Sequence, residues 1–383
     1  MLPLDGHLEF DPARDAEFFS ALPPRPAVCL LLPRDPAAEP LLIRAADLRR
    51  RLQRLLGPPD PASKRLNLRE IAGGVRYRLT GSSFEQTLTY YYHARQLLPA
   101  RYRDLMRLRA PALLKLSLRS AYPRCYVTRR VPPVVNGAIP GSACYGPFPS
   151  RRAAQAFAER VLDLFKVRRC QIKIRRDPQF PGCLYSEMKM CLAPCFAGCT
   201  KEEYDAEVAR LVQFLDSNGD SLRAAIEQER EQASQALDFE RAAALHKRLE
   251  KVDAVYRGHP QLVRRLPEIH AVILQRAAEP QTVAAYPVRG GRIAAPFFLR
   301  FGESPAEAQE AERIFRRQLG EETVPEQTAD LSEHLSLLAR WFYANPRQGE
   351  ILFRGKDWPY RRILRACSRL LADTRPSATE TSS

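Results

Sequence analysis

The chain has 383 residues, of which 45% are hydrophobic and 27% are charged, and its formal net charge is +16. These proportions are ordinary for a globular protein of two to four domains and exclude a fibrous or wholly disordered chain. No apolar run reaches the roughly 20 residues that cross a bilayer, and the N-terminus lacks the pattern of a signal peptide, so we expect a cytoplasmic protein with no membrane contact. Its nine cysteines are then expected to be free thiols or metal ligands.

The positive charge is concentrated in one stretch. Residues 101–176 contain eighteen Lys or Arg against three Asp or Glu, which leaves the rest of the chain nearly neutral. A basic segment of this kind predicts a surface that contacts the DNA backbone in a salt-dependent way. The predicted DNA-binding residues are Arg168, Arg169, Arg175 and Arg176. A solvated basic face without a partner is the alternative.

The first half of the chain is predicted to alternate strands with helices. Apolar runs at residues 27–32 and 40–43 indicate two strands, and residues 45–56 have the pattern of an amphipathic helix. Further strands are predicted at residues 113–118 and 125–127.

A Tyr-Gly-Pro-Phe-Pro sequence at residues 145–149 predicts a rigid turn. Ser150 follows it as the N-cap of a helix that leads to Phe165. This helix delivers the chain to the cysteine-rich stretch.

Residues 200–256 are predicted to be helical. Thr200 and Glu203 have the spacing of a capping box, Asn218-Gly219 ends the first helix, and Asp238 marks the turn before the last one. An apolar seam is expected from Leu222, Ile226, Ala233, Leu237, Phe239, Ala242, Ala243, Leu245, Leu249 and Val252. Because two helices in a hairpin bury little apolar surface, we expect another protein to complete this seam.

The last part is predicted to be a small α/β region. Strands are assigned to residues 269–274, 282–288 and 293–299, with a hairpin turn at residues 289–292. A helix capped by Ser304, a helix over residues 330–343, a strand at residues 350–353 and a disordered polar tail from Arg375 complete it. The fold class is therefore α+β with several domains.

Four cysteines form the most specific chemical signal. Cys170, Cys183, Cys191 and Cys195 are separated by twelve, seven and three residues, which is typical of ligands that converge on one soft metal centre. Buried apolar cysteines are the alternative, and Cys199 complicates the count. Structural zinc sites favour two close pairs, whereas an iron-sulfur cluster accepts unequal spans, so spacing alone favours iron-sulfur only slightly over zinc.

Several blocks together resemble the UvrC family, the nuclease component of bacterial nucleotide excision repair. These are the Tyr145-Gly146-Pro147-Phe148 sequence, the helix after it, the four cysteines, and Phe-Glu-Arg-Ala-Ala-Ala-Leu-His-Lys-Arg-Leu-Glu at residues 239–250. The resemblance extends over roughly residues 18–353 and implies a shortened member of the family. It also implies that the four cysteines hold a four-iron, four-sulfur cluster, with zinc as the alternative.

The opening of the chain has the position and shape of the family's GIY-YIG nuclease domain, but its motifs are degenerate. Ala27-Val28-Cys29 and Leu41-Leu42-Ile43 replace the two motifs, so both tyrosines are absent. The resemblance retains Arg44 and Arg51 and puts Tyr90 where the family has its metal-binding glutamate. Tyrosine is a poor Mg²⁺ ligand, so we expect an inert scaffold.

An active nuclease is the alternative. If the alignment slips by one helical turn, Glu85 becomes the Mg²⁺ ligand, and Arg44 and Arg51 contact the phosphate. The protein would then be an endonuclease that incises DNA near lesions.

The second helix of the predicted hairpin matches the UVR motif, which in the family docks on UvrB. The partner-binding residues implied are Phe239, Ala242, Ala243 and Leu245, and a generic helical hairpin is the alternative. The domains expected are a degenerate GIY-YIG-like domain (1–111), a basic module with the cysteine cluster (112–199), the UVR hairpin (200–258), a region like the start of the RNase-H-like domain (259–374) and a tail (375–383).

The sequence therefore predicts a UvrC-like repair protein that binds DNA and a UvrB-like partner without cutting. The active endonuclease is the second hypothesis. An iron-sulfur redox or sensor protein is the third.

Overall fold

The computed structural model describes residues 2–59, 66–135, 137–257, 259–302, 305–320 and 328–372. These residues form three antiparallel sheets with helices packed on them, which confirms a mixed α+β, multidomain architecture. In this described part, no helix combines the length and the apolar character needed to cross a bilayer. The N-cap expected at Ser304 and the tail expected from residue 375 lie outside the described residues.

The N-terminal sheet has the strand order β1-β4-β2-β3. Its central strand β2 is apolar and almost wholly buried, and helix α2 covers the sheet with a leucine stripe at helical spacing. The Asp47 carboxylate caps α2 by accepting the Arg50 N–H at 2.8 Å. The elements are β1 Gly6–Glu9, α1 Asp15–Ala21, β2 Ala27–Pro33, β3 Leu41–Ala45, α2 Leu48–Leu56, β4 Ala72–Leu79, α3 Ser83–Leu97 and α4 Tyr102–Leu105.

Helix α3 belongs to two parts of the molecule at once. Its residues share one hydrophobic core with Val28 and Leu42 of the first sheet and with residues of the C-terminal sheet. The Phe84 ring, for example, lies 5.1 Å from the Tyr286 ring. This two-sided burial joins the first and last parts of the chain, which the sequence predicted as separate domains.

A buried carboxylate fixes the same contact. Glu333 of helix α11 accepts hydrogen bonds from the Tyr91 hydroxyl at 2.6 Å, the Tyr102 hydroxyl at 2.8 Å and Arg103 Nε at 2.6 Å. Because these three donors come from residues 91–103, Glu333 ties α3 and α4 to the C-terminal region.

The middle sheet has the strand order β6-β5-β7-β8. Ser150 caps α5 as predicted, because its hydroxyl accepts the Ala153 N–H at 3.1 Å. The elements are β5 Ala112–Leu116, β6 Cys125–Thr128, β7 Ala143–Phe148, α5 Arg151–Leu162, α6 Leu184–Glu187, α7 Lys201–Asp216, α8 Asp220–Gln235, α9 Phe239–Tyr256 and β8 Arg264–Arg265.

The rigid turn predicted at residues 145–149 is wrong, because most of this segment belongs to strand β7. Gly146 and Pro147 lie at an irregularity in the pairing of β7 with β5. Proline is tolerated in a sheet at such a bulge, and a side chain at Gly146 would meet Leu113. The two residues that suggested a turn therefore shape a bulge inside a buried strand.

The helical region agrees closely with prediction. The Thr200 hydroxyl accepts the Glu203 N–H at 3.1 Å and the Glu203 carboxylate accepts the Thr200 N–H at 2.8 Å, which completes the capping box. Gly219 has a left-handed φ of 93° between α7 and α8, and Asp238 caps α9.

The hairpin seam, however, is covered by the chain itself. Ile226, Leu245 and Leu249 share a core with residues of α5 and α7, and the Tyr256 ring lies 5.3 Å from the Phe214 ring. The expectation that another protein completes this seam is therefore wrong for its buried part.

The C-terminal sheet has the order β11-β10-β9-β13, with β12 also paired to β10. Alternate residues of β9 and β10 enter a core with α3 and α11 on one face and a core with α10 and α12 on the other. The elements are β9 Ala271–Arg276, β10 Thr282–Arg289, β11 Arg292–Ile293, β12 Phe297–Arg300, α10 Pro305–Gly320, α11 Thr328–Phe342, β13 Glu350–Phe353 and α12 Tyr360–Ala372.

Two details of the C-terminal region differ from prediction. The single return strand at residues 293–299 is split into β11 and β12 around Pro296, which has no N–H to donate to the ladder. Helix α12 was not predicted, although Ile363, Ala366 and Cys367 have helical spacing and are buried.

Candidate functional site

The first candidate site is the retained face of the N-terminal domain. Arg44 projects from β3, and its guanidinium carbon lies 5.1 Å from the centroid of the Tyr90 ring. Arg51 is exposed on α2. The residue that stands where a metal-binding carboxylate was expected is thus a neighbour of Arg44, but it offers Mg²⁺ only an aromatic ring and a phenol.

Glu85, the alternative Mg²⁺ ligand, is buried on α3. Its carboxylate is 1% exposed, accepts the Gly81 N–H at 2.9 Å and lies 3.6 Å from Arg78 Nε. Burial is the main cause that raises the pKa of Glu85, and its charge contributes to raising the pKa of the neighbouring Tyr286 phenol. Because five residues of helix separate Glu85 from Tyr90, the two lie on opposite sides of α3. Glu85 is therefore a buried residue away from the Arg44–Tyr90 contact, and its role as the alternative Mg²⁺ ligand stays a prediction.

The second candidate site is the cysteine loop, residues 166–199. Its ends are held together, because Leu192 N–H donates to the Lys166 carbonyl at 3.0 Å and Asp177 N–H donates to the Cys195 carbonyl at 2.9 Å. Ala193 and Ala197 take left-handed conformations on either side of Cys195. The chain therefore turns sharply here, and Cys191 and Cys195 lie near each other.

Cys191 and Cys195 each feel the charges of the other predicted cysteines Cys170 and Cys183. Burial, together with the charges of Cys170, Cys195 and Cys183, raises the pKa of the Cys191 thiol to about 11, although a hydrogen bond from Ala193 opposes this shift. Among the described residues, no three His, Cys, Asp or Glu side chains form a group that could hold a single metal ion.

Several N–H donors point at the sulfur atoms. Ala193 N–H donates to Cys191 Sγ at 3.3 Å, Arg168 Nη1 lies 3.7 Å from Cys170 Sγ, and the Phe196 N–H donates to Cys195. Hydrogen bonds to sulfur stabilise the thiolate form and are a feature of iron-sulfur sites. The donors present around these thiols therefore fit a group held by thiolates.

Arg168 and Arg169 are parts of this loop, and Arg168 is buried in it whereas Arg169 is half-buried. Arg168 is 6% exposed, and its guanidinium donates to the carbonyls of Tyr122 at 2.9 Å, Cys170 at 3.2 Å and Ile172 at 3.0 Å. Arg169 pairs with Asp163 at 2.7 Å. The carbonyls around Arg168 occupy its guanidinium, so the structure gives no support to Arg168 as a DNA contact, while Arg169 as a DNA contact stays a prediction.

Other cations of the same loop remain on the surface. Arg175 and Arg176 are exposed, as predicted for a contact surface, and so is Lys173, which sequence reasoning did not single out. The alternation of exposed and buried basic residues has no helical or strand period here, so the sequence contains no signal that separates the two sets.

The third candidate site is the tip of the α8–α9 hairpin. Phe239 is 68% exposed and Leu237, at the turn before it, is 72% exposed. Ala243 is exposed one turn beyond Phe239, whereas Ala242 packs against the hairpin core and Leu245 is buried in it. The predicted set of four therefore divides: Phe239 and Ala243 face solvent, and Ala242 and Leu245 stabilise the hairpin.

Leu237 also differs from prediction. It was expected in the seam, but its backbone is left-handed and its side chain leaves the seam at the turn. Leu237 and Phe239 therefore both expose apolar surface at the turn of the α8–α9 hairpin.

A known protein family matches the part of the chain that contains the middle sheet and the cysteine loop. Residues 112–214 match the family model described as UvrC/Cho excinuclease, middle domain. This part of the chain is therefore a UvrC-family middle domain. The matched residues contain all four cysteines and end within α7, before the α8–α9 hairpin.

Several relatives of the chain carry the name UvrABC system protein C. The Dehalococcoides mccartyi protein is 24% identical over 278 residues, which cover 72% of this chain and 44% of that protein. The Carboxydothermus hydrogenoformans protein is 30% identical over 227 residues, which cover 58% and 36%. The Lactobacillus helveticus protein is 34% identical over 113 residues, which cover 30% and 18%. The chain thus spans less than half the length of these UvrC relatives, and no solved structure matches it significantly.

Proposed function

We propose that this UvrC relative acts in nucleotide excision repair as a DNA-binding protein that docks on a UvrB-like partner and does not itself cut DNA. The observation that carries the proposal is the UvrC middle domain over residues 112–214, whose cysteine loop bears exposed cations. The names of the relatives support the pathway, because they assign those proteins to the UvrABC system.

Within this proposal, Cys170, Cys183, Cys191 and Cys195 hold an iron-sulfur cluster of the four-iron type. Such a cluster supplies four strong bonds to thiolates, which would fix the loop in one conformation. The Ala193 N–H and Arg168 would stabilise the sulfur charge, and Arg168 would also orient the loop through the carbonyls it contacts.

The nuclease-inactive part of the proposal rests on the N-terminal domain. Phosphodiester cleavage of this type needs a divalent cation on a carboxylate, and Tyr90 stands beside Arg44 in its place. Glu85, the acidic candidate for the metal ligand, is buried and lies on the side of α3 opposite Tyr90.

The partner-binding part rests on the hairpin tip. Aromatic residues are frequent anchors in protein interfaces. Phe239 and Leu237 are exposed at the tip and do not contribute to the hairpin's own core, so a partner can bind them. The partner surface expected is an apolar helical hairpin of a UvrB-like protein.

The first prediction concerns the cluster. Protein purified without oxygen should be brown and contain about four iron atoms per chain if the proposed four-iron type is present. Cys191→Ser should abolish the colour because it removes one ligand. Cys199→Ser is the matched control: it changes a nearby cysteine outside the proposed set and should keep the colour. Colourless wild-type protein with stoichiometric zinc would contradict the iron assignment.

The second prediction concerns DNA binding by the exposed cations of the loop. Arg175→Gln combined with Arg176→Gln should weaken duplex binding and reduce the log-log salt slope by about two, or about one per phosphate contact. Binding is measured by fluorescence anisotropy over a KCl series. A matched control with the same loss of charge is Arg14→Gln combined with Arg313→Gln, since both side chains are more than 70% exposed and lie on other elements. Equal slopes for the two double variants would refute a specific contact.

The third prediction separates partner binding from stability. Phe239→Ala should weaken association with a UvrB-type C-terminal hairpin by about 2 kcal/mol or more while leaving thermal stability unchanged, because its ring is exposed. Leu245→Ala should instead lower the stability of the domain, by about 2–5 kcal/mol, because Leu245 is buried. Calorimetric titration and thermal melts measure the two effects. Unfolding of Phe239→Ala would place this ring in the core and remove the anchor.

The fourth prediction concerns catalysis. A nicking assay on damaged duplex with Mg²⁺ or Mn²⁺, with and without a UvrB-type partner, should give no incision attributable to this chain. The reason is that no carboxylate accompanies Arg44 at the position of Tyr90. Incision by the wild type that is lost in Arg51→Ala or Glu85→Gln would establish the active endonuclease instead.

A further inference from the structure

A cleft of about 360 Å³ opens where the chain passes from the middle sheet to the C-terminal sheet. Its walls come from the end of α7, from β8 and from the segment after β13. The Arg354 N–H donates to the His270 carbonyl at 2.9 Å and so holds the end of β13 against the start of β9. No residue of the cysteine loop lines this cleft, so it is separate from the sites described above.

The lining of the cleft is positively charged. Arg264, Arg265, Arg354 and Lys356 face two carboxylates, Asp216 and Glu268. Asp216 is already neutralised, because Arg265 lies 2.9 Å from one of its oxygens and the Tyr145 hydroxyl donates to the other at 2.7 Å. The remaining charge of the lining is therefore positive.

The Arg264 side chain is fixed by two contacts within the chain. Its guanidinium carbon lies 4.5 Å from the centroid of the Phe353 ring, and its Nε donates to the Gln261 carbonyl at 3.0 Å. Within the described residues, its two terminal nitrogens have no hydrogen-bond partner. Partial burial lowers the pKa of Arg264, so an anion that offers hydrogen bonds would relieve the cost of desolvating this charge.

Lys356 provides a second cation on the opposite wall. It is exposed, it follows Gly355, and it has no salt bridge within the described part of the chain. An arginine that presents a fixed fork and a lysine that acts as a point charge are the two usual ways of binding a phosphate group.

We propose that this cleft binds a backbone phosphate of duplex DNA, with Arg264 as the fork and Lys356 as the point charge. The proposal rests on the DNA binding proposed above and adds a second contact site to it. A backbone phosphate fits better than a free nucleotide, because pockets for small ligands are lined mainly by apolar and aromatic side chains. Here most of the lining side chains are charged or polar, and the nearby ring of Phe353 is covered by Arg264.

Further cations follow the cleft in the sequence. Arg361, Arg362 and Arg365 lie on α12, within a few residues of Lys356, and Arg361 and Arg362 are exposed. Cations close to a phosphate site raise the local concentration of a polyanion, so a duplex is favoured over a singly charged ligand.

The test uses the full chain with its cysteine loop intact. Lys356→Gln and Arg264→Gln should each reduce the log-log salt slope of duplex binding by about one and weaken binding about five- to tenfold near 0.1 M KCl. Arg264→Lys should keep most of the slope, because the charge is retained. Arg313→Gln, which removes one exposed charge outside the cleft, is the matched control and should leave the slope unchanged.

The possible results distinguish this proposal from the broader one. If the wild type binds duplex and both cleft variants keep its slope, the cleft is not a phosphate site, and DNA binding through Arg175 and Arg176 is unaffected. If the wild type binds no duplex, both proposals fail. If deoxyadenosine monophosphate binds as tightly as duplex and Lys356→Gln abolishes that binding, the ligand is a free nucleotide and the backbone assignment is overturned. Because Lys356 is exposed, its substitution leaves the fold intact, and a thermal melt verifies this.

Discussion

The middle of the molecule depends on one buried polar network around Arg168 and Tyr204. The Tyr204 hydroxyl donates to the Pro123 carbonyl at 2.7 Å and accepts the Arg168 N–H at 3.1 Å, while the Arg168 side chain binds the Tyr122 carbonyl and two carbonyls of the cysteine loop. Three segments that share no regular secondary structure with one another are thereby joined: the loop before β6, the start of the cysteine loop, and α7. A buried guanidinium is stable only when its donors are satisfied, so the network also fixes the path of the loop from Arg168 to Ile172. Removing the Arg168 side chain would take its donor from three carbonyls, and removing the Tyr204 hydroxyl would leave the Pro123 carbonyl and the Arg168 N–H without their partner.

Local signals explain how much of this structure the sequence predicts. Ser150, Thr200, Glu203 and Asp238 cap the helices expected of them, because a cap needs only residues within one turn of each other. Signals that depend on distant partners are less informative. Gly146-Pro147 has the composition of a turn, yet strands β5 and β8 pair on either side of it and make it a bulge. Likewise a run of arginines does not reveal which member is buried, and only the carbonyls gathered around Arg168 decide this.

In the N-terminal region, one helix joins distant parts of the chain. Helix α3 is packed between two sheets, and its Tyr91 binds Glu333 of α11. Glu85 accepts the Gly81 N–H near the start of the helix and lies against Arg78. These contacts give the helix a structural role that does not require a metal, because it joins the first and last parts of the chain. The sequence could indicate that Tyr90 replaces a carboxylate, but the joining role of α3 depends on residues far along the chain, such as Tyr286 and Glu333, and has no local signature.

Helix α7 relates the two proposed DNA contacts to each other. Its N-terminus follows Cys199, where burial raises the pKa of the thiol and the nearby charge of Arg176 opposes this rise. Its C-terminal residue Asp216 lines the basic cleft. A helix of 16 residues is about 24 Å long, which corresponds to about seven base pairs of duplex at about 3.4 Å each. Because α7 is anchored at its start by Tyr204 and at its end by the bonds of Asp216 to Tyr145 and Arg265, the spacing between the two contacts is fixed by packed structure. The same end of α7 leads directly into the hairpin, so a partner bound at Phe239 would be connected to the DNA surface through a continuous core rather than through a flexible linker.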